Sequence, residues 1–239
     1  TQYVTRDPDT GLTNMGNYRA QVKGPRRMGM NPSLELRPGI YIHWEKMKER
    51  GEKLPAAVVL GAPSCVTFTA AQKLPENLEE ITVAGGLVGS PINVVRARTV
   101  DLMVPAEAEI VVEGYINTEM LEPEAPFGES HGHVNLQEFN AYMDVTCITR
   151  RSKPIMTSII SQVTPSESSC IKQVAYETIF MNHMRDALGI KGIQRVALHE
   201  PLTNIRKLVV LVCDRDMPTT EVWRALYGAA TLLRAGGKF

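Results

Sequence analysis

The sequence lacks an excess of either charge: its 239 residues carry 26 Lys and Arg against 26 Asp and Glu. A protein that meets nucleic acid or an anionic membrane surface needs a basic face, so neither partner is expected. Long apolar runs are missing too. Leu208-Val209-Val210-Leu211-Val212 is among the longest, and it falls far short of the ~20 residues a membrane-spanning helix requires. Cysteine is scarce. Cys65, Cys147, Cys170 and Cys213 show no C-x-x-C spacing, so buried free thiols in a reducing compartment are expected rather than disulfides. There is no internal repeat and no low-complexity tract. What is present is ordinary: 44% hydrophobic and 22% charged residues, the balance of a soluble globular domain rather than of a disordered chain. At this length roughly 70% of the unfolded surface is buried, enough for one large domain or two smaller ones.

Turn chemistry opens the chain at Arg6-Asp7-Pro8-Asp9-Thr10-Gly11. Residues 14–23 then suit a strand with Arg19 near its middle. A helix is expected over 39–50, stopped by Gly51, and a short buried strand over 56–61. Pro63 opens a second helix to about Ala71, and 79–89 reads as a third, weakened by Gly85-Gly86. From 93 to 160 the β-branched content predicts strands at 94–95, 109–113, 142–146 and 155–160. A long connection, 117–140, interrupts them. Loops of that length in compact domains are functional or disordered, and this one is rich in carboxylates and histidines. Ser166 caps a helix that runs to Leu188 and closes at Gly189. Two strands follow, 194–199 and 207–214. The second is nearly all apolar, which predicts burial on both faces and neighbours on both edges. In the last helix, 219–234, Val222, Trp223, Leu226, Tyr227 and Ala230 form a stripe at helical spacing that reads as core.

The strongest chemical constellation is Glu122-Pro123-Glu124-Ala125-Pro126-Phe127-Gly128-Glu129-Ser130-His131-Gly132-His133. Two prolines and two glycines hold an irregular backbone that carries Glu124 and Glu129 five residues apart. Two carboxylates in one rigid loop can be driven to different pKa values, as general acid–base work requires. Phe127 implies a packed turn rather than an acidic solvated loop.

Glu124-Ala125-Pro126-Phe127-Gly128-Glu129 resembles the E-G-P-F-G-E signature of the UbiD-type decarboxylases, which depend on a prenylated flavin. Two further blocks resemble that family in order and spacing. One is Arg6-Asp7-Pro8 with Asn14-Met15-Gly16-Asn17-Tyr18-Arg19. The other is Thr99-Val100-Asp101-Leu102-Met103-Val104-Pro105-Ala106 with Glu109-Ile110-Val111-Val112-Glu113-Gly114. The resemblance implies an α+β protein: a split β-barrel flavin-binding domain over 1–163 and the start of an α+β C-terminal domain over 164–239. It also implies that the chain is a piece cut at both ends, since family members are about twice as long.

Carried over by motif, the resemblance makes Arg19, Glu124 and Glu129 catalytic. Arg19 orients the substrate carboxylate and keeps a neighbouring Glu ionised, and Glu129 delivers a proton after carbon dioxide leaves. Asn14, Arg19, Ala70, Ala71 and Gln72 are expected to hold prenylated FMN. A divalent ion, typically Mn2+, is expected on Asn14 and Glu80, with K+ as a further ion. The family's metal-binding His falls at Pro38 or Gly39, neither of which can ligate, so the third ligand is open between His43 and Glu35. On its own, the chain is therefore expected to carry neither flavin nor tightly held manganese. The resemblance further implies a small-molecule carboxylic acid substrate, a flavin prenyltransferase as supplier, a homo-oligomer, and a cytoplasmic location. The rival expectation is a non-catalytic scaffold subunit of a multisubunit carboxylase.

Other features carry less. His131 and His133 stand as substrate contacts or as solvated loop residues. Gly85, Gly86 and Gly89 follow no buried strand and do not make a dinucleotide fingerprint. Ser166, Ser168 and Ser169 are helix-start residues with no Ser/His/Asp arrangement around them, and Arg150-Arg151 with Lys153 reads as a solvated turn.

Overall fold

The computed structural model describes residues 1–31, 38–72, 74–75, 77–128, 134–136, 138–159, 165–198 and 208–232. Contacts group them into two units, Thr1–Pro126 with Leu136–Ser158, and Phe127–Asn135 with Ile159–Phe239.

In the first unit, strands β1 (Gln2–Arg6) and β2 (Thr13–Asn17) form a hairpin. Its turn is built by Asp7, whose Oδ1 accepts from the Asp9 N–H at 2.8 Å, and by Gly11 at φ 77°. The strand expected over 14–23 is broken. Asn17 N–H leaves the ladder for the Ala70 carbonyl at 3.1 Å, and only a lone bridge from Arg19 to Asn31 precedes β3 (Val22–Gly24) and β4 (Arg27–Met30). Helix α1 (Gly39–Glu49) follows, then β5 (Leu54–Leu60), α2 (Ser64–Thr69) and α3 (Glu80–Val88). The hairpin β6 (Val94–Arg96) and β7 (Met103–Pro105) leads to β8 (Ile110–Ile116).

The connection read as a loop from 117 to 140 contains strand β9 (Glu122–Glu124) and the pair β10 (Phe127–Gly128) and β11 (Val134–Asn135). It ends in the long strand β12 (Glu138–Arg150). The main sheet is antiparallel in the order β2-β1-β5-β8-β12-β4-β3, with β9 also on β12. No strand forms over 155–159, where Ile155 and Met156 are exposed. Their apolar character reflects surface rather than pleat.

The sequence of β5 explains the layering. Ala56 and Val58 pack toward α1 with Tyr3, Ile40, Trp44 and Met143, while Ala57 and Val59 pack oppositely with Val66, Ala84, Leu102 and Val111. Covered on both faces, β5 reads as an unbroken apolar run rather than an alternation. Glu113 is fully buried on β8. Its carboxylate accepts the backbone N–H groups of Arg98 (3.0 Å) and Thr99 (2.6 Å) and the Thr99 hydroxyl (2.9 Å). Those bonds fix the tip of the β6–β7 hairpin.

In the second unit, Ser166 and Ser169 form a reciprocal capping box at the start of α4 (Glu167–Asn182), which continues as a π-turn over His183–Ala187. Strands β13 (Ile193–Leu198) and β14 (Val209–Cys213) pair, and α5 (Thr219–Leu232) follows. Two expectations are corrected here. β14 is buried on one face only: Val209 faces the core, while Val210 and Val212 are 45% and 41% exposed. The α5 core stripe is Ala225, Gly228 and Ala229, with Trp223 and Tyr227 outside it. Small residues win that face because α5 lies close against Leu188 and Met184, which meet Gly228. The four cysteines are unpaired as expected, but none is fully buried and Cys170 is exposed. Among the described residues, no helix is long and apolar enough to cross a membrane.

A Cβ added to Gly114 would drive into the backbone carbonyl of Asp144 on the neighbouring β12. Gly114→Ala is therefore expected to cost about 3 kcal/mol or more, the range of severe core defects. Urea denaturation checks it, and a loss below about 1 kcal/mol would contradict this strand spacing.

Candidate active site

The break after β2 and the start of β9 bring together groups 105 residues apart. Arg19 forks onto Glu124, Nε to Oε1 at 3.0 Å and Nη2 to Oε2 at 2.8 Å. Oε2 also accepts from Asn31 Nδ2 at 2.8 Å and Asn140 Nδ2 at 2.9 Å. Glu124 is 5% exposed. Its burial opposes ionisation, but the hydrogen bonds from Arg19 and Asn31 and the charges of Arg19 and Lys23 outweigh that, holding its carboxyl below the usual range. Glu124 is thus a fixed carboxylate rather than a proton donor. β9 is pinned from outside by Lys23, which donates to the Pro123 carbonyl at 2.6 Å, and by Arg27, which bridges Glu122 (2.6 Å) and Asp144 (3.0 Å) and stacks on the Tyr142 ring.

Sequence reasoning missed three residues of this cluster: Asn31, Asn140 and Glu138. Glu138 stands directly opposite Glu124 across β9 and β12 and reaches Asn31 Nδ2 at 3.2 Å and Arg19 Nη2 at 3.6 Å. The signal for two of them was positional, a Glu and an Asn two apart on one strand face, but it becomes readable only when the register with β9 is known. Glu129, Glu35, His131 and His133 lie outside the described residues.

The residues assigned to cofactor and metal are distributed along β2, Glu80 at Met15 and the Ala70 turn at its end. Glu79 Oε1 accepts the Thr13 N–H at 2.6 Å and Glu80 Oε2 the Met15 N–H at 2.8 Å, so Asn14 lies between two carboxylate-capped positions on the sheet edge. Asn14 Nδ2 is buried with no hydrogen-bond partner among the described residues, and so is Gln72 Oε1. Ala70 is tied to β2 through its carbonyl, and Ala71 and Gln72 continue the turn that ends α2. Tyr18 is half-buried, and its desolvation, with the charge of Glu80, pushes its hydroxyl up to about 12. One orphaned donor and one orphaned acceptor match the mixed polar rim of a flavin phosphate and ring, so the residues fit that group.

A divalent metal fits less well. A Cβ at Gly39 would collide with the Asn14 amide, which occupies the space a side chain there would need. His43, one turn further along α1, is committed elsewhere: its Nδ1 is 3.0 Å from Thr5 Oγ1 and its Nε2 is 3.8 Å from Asp7 Oδ2. With Nε2–H facing a carboxylate, Nδ1 accepts from Thr5. His43 is therefore a core histidine rather than the missing ligand. Among the described residues no group of three His, Cys, Asp or Glu could hold a metal.

Residues 1–163 match the family model of the 3-octaprenyl-4-hydroxybenzoate carboxy-lyase Rift-related domain, UbiD. The chain belongs to the UbiD family. An uncharacterised protein of Archaeoglobus fulgidus is 33% identical over 183 residues, covering 76% of this chain and 37% of that protein. One from Synechocystis is 34% identical over 186 residues, covering 78% and 36%. The chain thus spans little more than a third of these relatives. Among solved structures, an evolved dimeric form of the UbiD-class enzyme HmfF from Pelotomaculum thermopropionicum, in complex with prFMN, superposes with a TM-score of 0.85 at 27% identity. That match covers 95% of this chain and 51% of the enzyme. The vanillic acid decarboxylase of Sedimentibacter hydroxybenzoicus shares the fold, with a TM-score of 0.84 at 24% identity over 95% of this chain and 47% of that one.

Burial lowers the His43 pKa from 6.5 to about 4, against the opposing pull of Asp7. Between those values the unfolded chain binds a proton that the folded chain refuses. Stability from this group is full above about pH 6.5 and is lost as pH falls toward 4, by roughly 3 kcal/mol. The His43 ring should stay neutral by NMR down to about pH 4. A midpoint near 6.5 would show that the ring is not held as described.

Proposed function

We propose that this chain is the flavin-binding catalytic part of a prenylated-FMN-dependent decarboxylase acting on aromatic or α,β-unsaturated carboxylic acids, with its sheet serving as the family's split barrel. The observation that carries the reading is the buried, bidentate Arg19–Glu124 pair, saturated by two asparagine amides. A buried ion pair is weak evidence for stability, since its desolvation offsets much of its attraction. A pair so buried, with two asparagine amides committed to it, is better explained by chemistry.

When bound, prenylated FMN supplies the electron sink for the pair left behind as the carbon–carboxylate bond breaks and carbon dioxide departs. Asn14 Nδ2 and the turn at Ala70, Ala71 and Gln72 would hold it. Arg19 presents a fixed cation to the substrate carboxylate, and Glu124 keeps that guanidinium in place and charged. Glu124 cannot return the proton because it is held ionised. That role is assigned to Glu129, which protonates the carbon after carbon dioxide leaves. The reading extends to a separate prenyltransferase as supplier and to a cytoplasmic homo-oligomer. A scaffold role has one observation in its favour, Pro38 and Gly39 standing where the family's metal-binding His is expected. The bidentate Arg19–Glu124 pair weighs against it.

In the cofactor-loaded protein, Glu129→Gln is expected to lower decarboxylation by about 10²–10⁴-fold, the usual general-acid contribution, with acid binding unchanged. Product release from a panel of cinnamate-type and hydroxybenzoate-type acids measures it. Turnover near the wild-type rate would remove Glu129 from the proton-donor role.

A further inference from the structure

Glu138 sits at the centre of the candidate site, and the proposed chemistry gives it no task. It is paired across the sheet with Glu124, on the same face, and two like charges directly opposite in a strand pair repel. The pair has been resolved unequally. Glu124 is 6% exposed by side chain and takes the short bonds, 2.8 Å from Arg19 Nη2 and 2.8 Å from Asn31 Nδ2. Glu138 is 53% exposed and takes the long ones to the same two nitrogens, 3.6 Å and 3.2 Å. Long contacts at a half-exposed position contribute little, so this carboxylate can turn into water at small cost. The position it leaves is that of one carboxylate oxygen, Oε2, which faces both the Arg19 guanidinium and the Asn31 amide.

We propose that Glu138 is a placeholder: in the free protein it fills the carboxylate position at Arg19 Nη2 and Asn31 Nδ2, and an incoming acid displaces it. It competes with any incoming anion, which must displace a tethered carboxylate to reach Arg19. The inference rests on the reading that Arg19 receives the substrate carboxylate, and it goes beyond that reading by naming what must move.

The test is a benzoate titration of the full 239-residue chain, followed through the Arg19 Nε–H resonance and assigned with Arg19→Lys. Wild type, Glu138→Gln and Glu138→Ala are compared, the two variants separating loss of charge from loss of shape. Benzoate is expected to shift the resonance in all three, with affinity about three- to fivefold tighter in both variants, the effect of removing one partly exposed charge contact. Equal affinity in the three proteins overturns the placeholder and leaves the orienting role of Arg19 standing. A resonance that benzoate moves in none of them overturns both.

Discussion

The first unit is organised around one buried ion pair. Arg19 and Glu124 bring charge out of water, and such a pair is tolerable only when every remaining donor and acceptor is matched. Here the match is made by remote segments. Asn31 comes from the end of β4, Asn140 from β12, and Arg19 from a stretch of chain that gives up strand geometry to reach inward. Removing one partner would leave the other buried and uncompensated, a loss of about 3–5 kcal/mol in comparable cases. The irregularities of this region follow from that demand. β2 ends early, β9 is short, and Lys23 and Arg27 clamp β9 from its outer side because it carries the carboxylate everything else converges on.

A second buried carboxylate, Glu113, is held in a different way from Glu124. Glu113 is as deeply buried as Glu124, yet its oxygens are taken by backbone N–H groups of two adjacent residues and a hydroxyl beside them. Those partners are local, and they fix a hairpin tip. Glu124 is held by side chains from three separate parts of the sequence, and its Oε1 has a single donor among the described residues, Arg19 Nε. One carboxylate closes a loop. The other fixes a guanidinium bidentately.

Much of this was legible in the sequence. The helix start at Ser166 and the short buried strand β5 could be read from local pattern, and the family from its motifs. What could not be read depended on register and on packing distance. Glu138 and Asn140 become site residues only because β12 pairs with β9 in one alignment. Trp223 and Tyr227 looked like core by spacing and size, but α5 approaches its neighbours through Ala225, Gly228 and Ala229, and large side chains cannot occupy so close a contact. β14 looked buried on both faces because apolar composition alone does not say how many layers cover a strand.

The departure at Gly39 belongs to the same logic of coupled positions. The Asn14 amide lies where a side chain at 39 would begin, so any larger residue there requires Asn14 to turn away. The missing histidine and the orientation of Asn14 are therefore one structural event rather than two. Glu80 shares in it: its carboxylate accepts the Met15 N–H on the outer edge of β2, as Glu79 accepts that of Thr13. Two carboxylates covering consecutive outward N–H groups protect an edge strand that would otherwise be open to pairing. Residues whose types suggest a metal centre are here serving the sheet edge and the helix start. Asn14 Nδ2 is left buried with no hydrogen-bond partner among the described residues.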